Sequence, residues 1–239
     1  MVTMTTIKQC PQFSLLRLTG ADTLSFINNQ IINKFDDGVA IPHYSAICNP
    51  KGRILFSLLI WPDEDGLVIA VDKSLVSNLS SYINMRRFRM QLTCDLDTTL
   101  AVAFKPNAEQ TLSAFSLTDQ SPQQELTDAE FWAIFFDAQL PWINELSTEL
   151  FIPQHLSLDD HGLIEYQKGC YPGQEVIARL HFLGKVKKHM SLENIESNES
   201  LNIGDKVILG DGMEGQLCSP IINLESVPKA QVVKSVKAI

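Results

Sequence analysis

The sequence predicts an α+β protein with more than one domain, and three observations carry that prediction. Short apolar runs of strand length recur along the chain, bounded by Gly, Pro, Asn and Asp. A few stretches instead carry apolar residues at helical spacing. After Gly184 only short strand candidates remain, separated by Gly and Asp turns, which marks a small β-rich terminal unit.

Taken in order, Phe13–Leu18 reads as a strand broken by Gly20. Asp22 is placed to cap a helix running to about Ile32, with Leu24, Ile27 and Ile31 on one face. Asn28, Asn29 and Gln30 lie off that face and read as its solvated side; buried amides there would need hydrogen-bond partners. Tyr44–Cys48 and Arg53–Trp61 read as strands joined by the turn Asn49-Pro50-Lys51-Gly52. Asp63–Gly66 is a second turn, and Leu67–Val71 a third strand. Ser74 is the expected cap of a helix to about Asn84, aligned through Leu75, Leu79 and Tyr82. The basic run Arg86-Arg87-Phe88-Arg89 and a strand at Met90–Cys94 complete a β-β-β-α-β unit.

Further on, Leu100–Phe104 is a short strand, and the polar stretch Lys105–Asp128 a connection with at most a short helix. Phe131–Phe136 reads as a strongly apolar strand and Pro141–Leu150 as a short helix. Phe151–Gln154 and Leu156–Asp160 are irregular. A tight turn at Lys168–Gly173 feeds a helix at Gln174–Leu183, with Val176, Leu180 and Leu183 on one face. Glu175 and Arg179 stand in the favourable order for an ion pair, and Gly184 suits a left-handed stop. Lys185–Leu192, Val207–Leu209, Glu214–Cys218 and Gln231–Val236 are the terminal strands, with Glu193–Asn202 an exposed loop.

The formal net charge of −9 argues against non-specific nucleic-acid binding, while leaving room for a basic pocket. No apolar run approaches the roughly twenty residues that span a bilayer. Met1–Cys10 is polar and has no signal core, so a cytoplasmic chain without membrane contact is expected. The five cysteines are scattered without a C-x-x-C pair, which disfavours a disulfide framework or a local zinc or iron–sulfur ligand set. His181 and His189 are too far apart to share a helix face as a metal pair. A Cys–His hydrolase would have to set Cys170 against His43, His155 or His161, and spacing alone does not do so.

The chemistry is crowded into Gln167–Arg179. Cys170 lies beside Lys168 and a helix start, where a thiol loses its proton more easily. It is either a reactive thiolate or a buried structural cysteine. Basic residues gather at Lys51/Arg53, at Arg86–Arg89 and at Lys168/Arg179/Lys185/Lys187/Lys188. Each is a solvated face or, with Phe88 and Tyr171, part of a slot for a flat aromatic anion.

Lys168-Gly169-Cys170-Tyr171-Pro172-Gly173-Gln174-Glu175, continued by Ala178-Arg179, resembles the K-G-C-Y-x-G-Q-E signature of the YgfZ family. These are folate-binding proteins related to the glycine-cleavage aminomethyltransferase. Phe26–Gln30 resembles the family's helix ending in a G-Q-type pair, with Asn29 for Gly. Cys48–Arg53 resembles its C-D-x-K-G-R turn, with Asn49 for Asp. The resemblance implies an aminomethyltransferase-like multi-domain ring around a central tetrahydrofolate site, closed by a short β-barrel-like end. Residues 1–45 and 98–183 would form the folate-binding core, 46–97 an inserted subdomain and 184–239 the terminal domain.

The function it implies is assembly or repair of iron–sulfur clusters in enzymes that include tRNA-modifying ones. Partners would be folate, cluster enzymes and cluster carriers, without stable nucleic-acid binding and without an intrinsic metal. On that resemblance Cys170 is the active group. Gln30, Asn49, Lys51, Arg53, Lys168, Gly169, Tyr171, Gly173, Gln174, Glu175 and Arg179 are the folate contacts. The strand Arg53–Leu58 lacks the carboxylate that aminomethyl transfer uses, which argues against that chemistry. A one-carbon transferase and a non-catalytic interaction module are the alternatives.

Overall fold

The structure, a computed structural model, describes residues 6–36, 39, 41–106, 111–120, 122–196 and 200–235. Met1–Thr5 of the polar start, parts of the Lys105–Asp128 connection and the Glu193–Asn202 loop, and Val236 lie outside the described residues.

The first half contains β1 (Lys8–Gln9), β2 (Phe13–Thr19), α1 (Thr23–Asn28), β3 (His43–Cys48), β4 (Ile54–Asp63), β5 (Gly66–Asp72), α2 (Val76–Arg86), β6 (Thr93–Asp97) and β7 (Ala101–Phe104). A five-stranded antiparallel sheet in the order β3-β4-β5-β2-β6 forms its centre. Every residue of β3 is buried, and so is most of β4 and β5. Both faces are therefore covered, and the sequence shows near-continuous apolar runs instead of alternation. Gly66 opens β5 where a Cβ would lie 1.9 Å from the Leu18 carbonyl oxygen, so only glycine fits there.

Four expectations change in this half. Helix α1 stops at Asn28 and not near Ile32, because the Asn28 side chain bonds both the N–H and the C=O of Phe35 at 2.8 Å. A local side-chain partner of this kind competes with helix propagation. Of the expected inner face, Ile27 and Ile31 are buried, whereas Leu24 is exposed and Phe26 is buried in its place. Ser74 does not cap the second helix: Asp72 caps a short 3-10 turn at Lys73–Leu75, its carboxylate accepting from the Ser74 N–H at 3.0 Å, and α2 continues from that turn with no side-chain cap of its own. The strand expected at Met90–Cys94 is displaced to β6, since Arg89 at φ 60° makes a turn that uses Met90.

The second half holds β8 (Phe115–Thr118), β9 (Gln124–Glu125), α3 (Asp128–Asp137), α4 (Gln174–Leu183), β10 (Lys188–Asn194), β11 (Lys206–Ile208), β12 (Glu214–Leu217), β13 (Ile222–Leu224) and β14 (Val227–Ser235). β8, inside the stretch read as a connection, joins a four-stranded sheet in the order β8-β7-β1-β9. Phe131–Phe136, read as a strand, is the body of α3. Thr127 and Glu130 form a capping box at its start, and burial on nearly every side hides the helical period. Pro141–Leu150 forms no helix; Asn144 and Ser147 side chains fix it as turns.

Phe13, Phe115, Phe131, Phe135 and Trp142 pack ring against ring and fasten the four-stranded sheet and α3 to the central sheet. The terminal strands form a third sheet, ordered β10-β14-β12-β11 with β13 on β14. Gln231 in β14 ties it to the rest by donating to the Phe135 and Leu140 carbonyls. Among the described residues no helix is long and apolar enough to cross a membrane.

Candidate functional site

Two turns, far apart in sequence, meet here. The first joins β3 to β4. The Asn49 side-chain oxygen accepts from the N–H groups of Lys51 at 2.9 Å and Arg53 at 3.1 Å, and Gly52 turns at φ 73°. Asparagine thus supplies the acceptor oxygen that an aspartate would supply. The second is the signature turn. Gly173, at φ 84°, starts α4, and a Cβ on it would lie 2.5 Å from the Asn49 carbonyl oxygen and 2.8 Å from Gly52 Cα. The two backbones touch, and glycine at both positions permits it.

Helix α4 has the bounds expected, but it turns a different face inward. Ile177 is its one buried residue, while Val176 and Leu183 are exposed. Gln154, fully buried, donates to the Ile177 carbonyl at 2.8 Å and holds the helix down. Gly184 is extended at φ −107°, not left-handed. Glu175 and Arg179 are exposed and make no ion pair with each other.

Beneath the turn, Lys168 Nζ donates to the carbonyls of Ile31 and Asn33, each at 2.7 Å. Burial pulls its pKa down to about 8, with Glu165 pulling the other way. The same ammonium stands 5.4 Å from the ring centre of Tyr171, which is buried and whose hydroxyl has no hydrogen-bond partner among the described residues. Burial raises the Tyr171 phenol and, helped by Lys168, lowers His43 to about 4. Gln174 donates to the Lys168 carbonyl at 3.3 Å.

On the outside, Cys170 is exposed, and so is Gly169, with open space where a Cβ would stand. The other four cysteines are buried, and burial raises their thiols, Cys94 to about 11. Lys51 is exposed, whereas Arg53 donates to the Glu149 and Leu150 carbonyls. Beside them lies a cavity of about 450 Å³ lined by Asn49, Pro50, Lys51, Arg53 and Glu149.

Gln30 is buried and accepts from the Tyr82 hydroxyl at 3.0 Å, so it is not on a solvated helix side. Tyr82 in turn carries the Arg86 guanidinium 3.7 Å above its ring centre. Sequence reasoning placed Tyr82 on an apolar face and missed this link. The available signal was that a buried phenol needs a partner. It also missed Gln154 and the stack of His181 on Tyr166, whose ring centres are 3.8 Å apart. Among the described residues no group of three or more His, Cys, Asp or Glu is placed to hold a metal ion.

No family model matches the chain. It is 27% identical over 227 residues to the tRNA-modifying protein YgfZ of Yersinia pestis (strain Pestoides F), covering 77% of this chain and 69% of the relative. It is 25% identical over 278 aligned positions to the tRNA-modifying protein YgfZ of Escherichia coli O45:K1 (strain S88 / ExPEC), covering 97% and 84%. In structure it is similar to the glycine cleavage system aminomethyltransferase T from Bartonella henselae. That match has a TM-score of 0.63 at 12% identity and covers 98% of this chain and 79% of the other. The resemblance carried by Lys168–Arg179 therefore extends further: over most of its length the chain is similar to the YgfZ proteins, and its fold is aminomethyltransferase-T-like.

Proposed function

We propose that the chain is a tetrahydrofolate-binding accessory protein for assembly or repair of iron–sulfur clusters in enzymes, tRNA-modifying ones included. The observation that carries this reading is the exposed Cys170 on a turn locked backbone-to-backbone against the Asn49–Arg53 turn. A thiol so placed can meet a partner's cluster, sulfur or iron without any rearrangement of the core. The cavity of about 450 Å³ at the Asn49–Arg53 turn has the size of a small-molecule site.

The side chains present suit folate in kind. Lys51 offers an exposed cation to a carboxylate tail, and Phe88 offers an exposed ring beside Arg86 and Arg89. Lys168 and Arg53 act differently in this reading: their donors already hold backbone carbonyls, so they shape the turns that contact the ligand. Gly169, Gly173, Gln174 and Asn49 supply the backbone path, with Gln30, Tyr171, Glu175 and Arg179 around it. A one-carbon transferase is disfavoured, because the one carboxylate on β4, Asp63, is paired with Arg17.

Calorimetric titration with tetrahydrofolate is the test of binding. Heat uptake or release together with a raised melting temperature is expected; neither at millimolar ligand rejects it. For the thiol, cells carrying Cys170→Ala should lose cluster-enzyme activity, and full complementation rejects its role. One observation favours the interaction-module reading instead: Tyr171 is buried, and neither it nor Cys170 lines that cavity. Loss of the calorimetric signal with retained complementation would select that reading.

A further inference from the structure

The chain as a whole is acidic, yet from Val176 to Leu192 it has no Asp or Glu and carries Arg179, Lys185, Lys187 and Lys188. All four are exposed, and none takes part in an ion pair among the described residues. The same surface carries large apolar groups that are mostly open to solvent: Phe182 is 65% and Leu183 83% exposed. Phe182 is held edge-on to Tyr166 and His181, so the tip is ordered by its own ring contacts. Across the terminal sheet, reached by the chain at Lys188, runs a groove of about 360 Å³ whose lining includes Lys188, Lys206, Lys234, Glu214, Met213 and Val233. Lys206 and Lys234 already hold Glu214 and Glu193, which leaves Lys188 as the groove's cation without a carboxylate among the described residues.

We propose that this face, from Arg179 through Phe182 and Leu183 to the Lys188 groove, docks an acidic protein segment that carries large apolar side chains. Charge complementarity names the sign of the partner, since unpaired cations of one sign in a chain of net −9 steer an anionic surface to this side. The exposed Leu183 and Phe182 name its apolar component, because desolvated anchors set the strength of an interface while rim charges set its register. RNA fits less well. A single-strand site needs several open ring faces and a long basic track; here His181 is already covered by Tyr166, and the exposed apolar groups Phe182 and Leu183 suit apolar side chains better than a sugar–phosphate backbone. The inference goes beyond the function proposed above and stands whether or not the chain binds folate.

The test uses the full chain without folate and three fluorescein-labelled probes in an anisotropy titration. These are a glutamate peptide interrupted by leucines, a glutamate-only peptide of the same charge, and an oligouridylate of the same charge. The leucine-containing peptide should bind most tightly. Lys187→Glu or Lys188→Glu should weaken it by roughly tenfold, the effect of replacing an attraction by a repulsion. Leu183→Ser should weaken it too, and Lys73→Glu, outside the face, should not. Circular dichroism confirms that each variant is folded. Equal or tighter binding of the oligouridylate or of the glutamate-only peptide overturns the proposal, as does no peptide binding or indifference to the charge reversals. Tetrahydrofolate titration of the same samples reads the folate reading separately.

Discussion

At Gly173 a positive φ and a backbone approach coincide. Gly173→Ala puts a methyl group within 2.5 Å of the Asn49 carbonyl oxygen at φ 84°. We expect a loss of at least about 2 kcal/mol in urea unfolding, since both strain and overlap must be relieved. A loss under half of that would mean that the two turns can separate freely. His43 gives a pH signature. Its folded pKa is lowered from 6.5 to about 4, by burial first and by Lys168 second. The unfolded chain takes up the proton first, so stability is complete above about pH 6.5 and falls as the pH drops towards 4, by up to about 3 kcal/mol. His43→Gln should flatten that limb of the stability–pH curve; an unchanged slope assigns it to other groups. Little of this was legible in the sequence. The signature stretch announces a glycine turn with a thiol. That Lys168 turns inward to two carbonyls depends on backbone oxygens of a distant segment, which no local pattern records.

Among the elements, α4 separates what spacing can predict from what it cannot. Its ends were legible, because the signature turn starts it and Gly184 follows it. Its buried face was not. The Val176–Leu180–Leu183 stripe looked like the inner side, yet the helix rests on Ile177 and on one bond from Gln154. A helix that touches the core at a single buried residue carries too little burial to impose a period on its sequence. Ile177→Ala should therefore cost about 2–5 kcal/mol in chemical unfolding, whereas Leu183→Ser should cost under about 0.5. The opposite ranking would put the stripe inside. In α3 the error ran the other way: Phe131, Trp132, Ile134, Phe135 and Phe136 are all buried, and a helix apolar on nearly every side reads as a strand.

On the scale of the whole molecule, the α+β class was legible from run lengths, and the β-rich end from its turns. The join between sheets was not, since it rests on aromatic contacts between Phe13, Phe115 and Trp142 that bring three distant segments together. The apolar interior is divided. One large cluster spans the first two sheets and α3, and a small one of Ile195, Val207, Leu209, Leu217, Ala230 and Val232 sits in the terminal sheet. Hydrogen exchange should find amides of β11 and β12 opening well before those of β4 and β5, because fewer buried contacts hold them. Equal protection would show one cooperative unit.

The contact between Gly52 and Gly173 also limits how such a chain can vary. A residue inserted in either turn would push its neighbour aside, and with it the sulfur that rides on the second. The two loops can therefore be remodelled only together, so lineages that alter one should carry a matching change in the other.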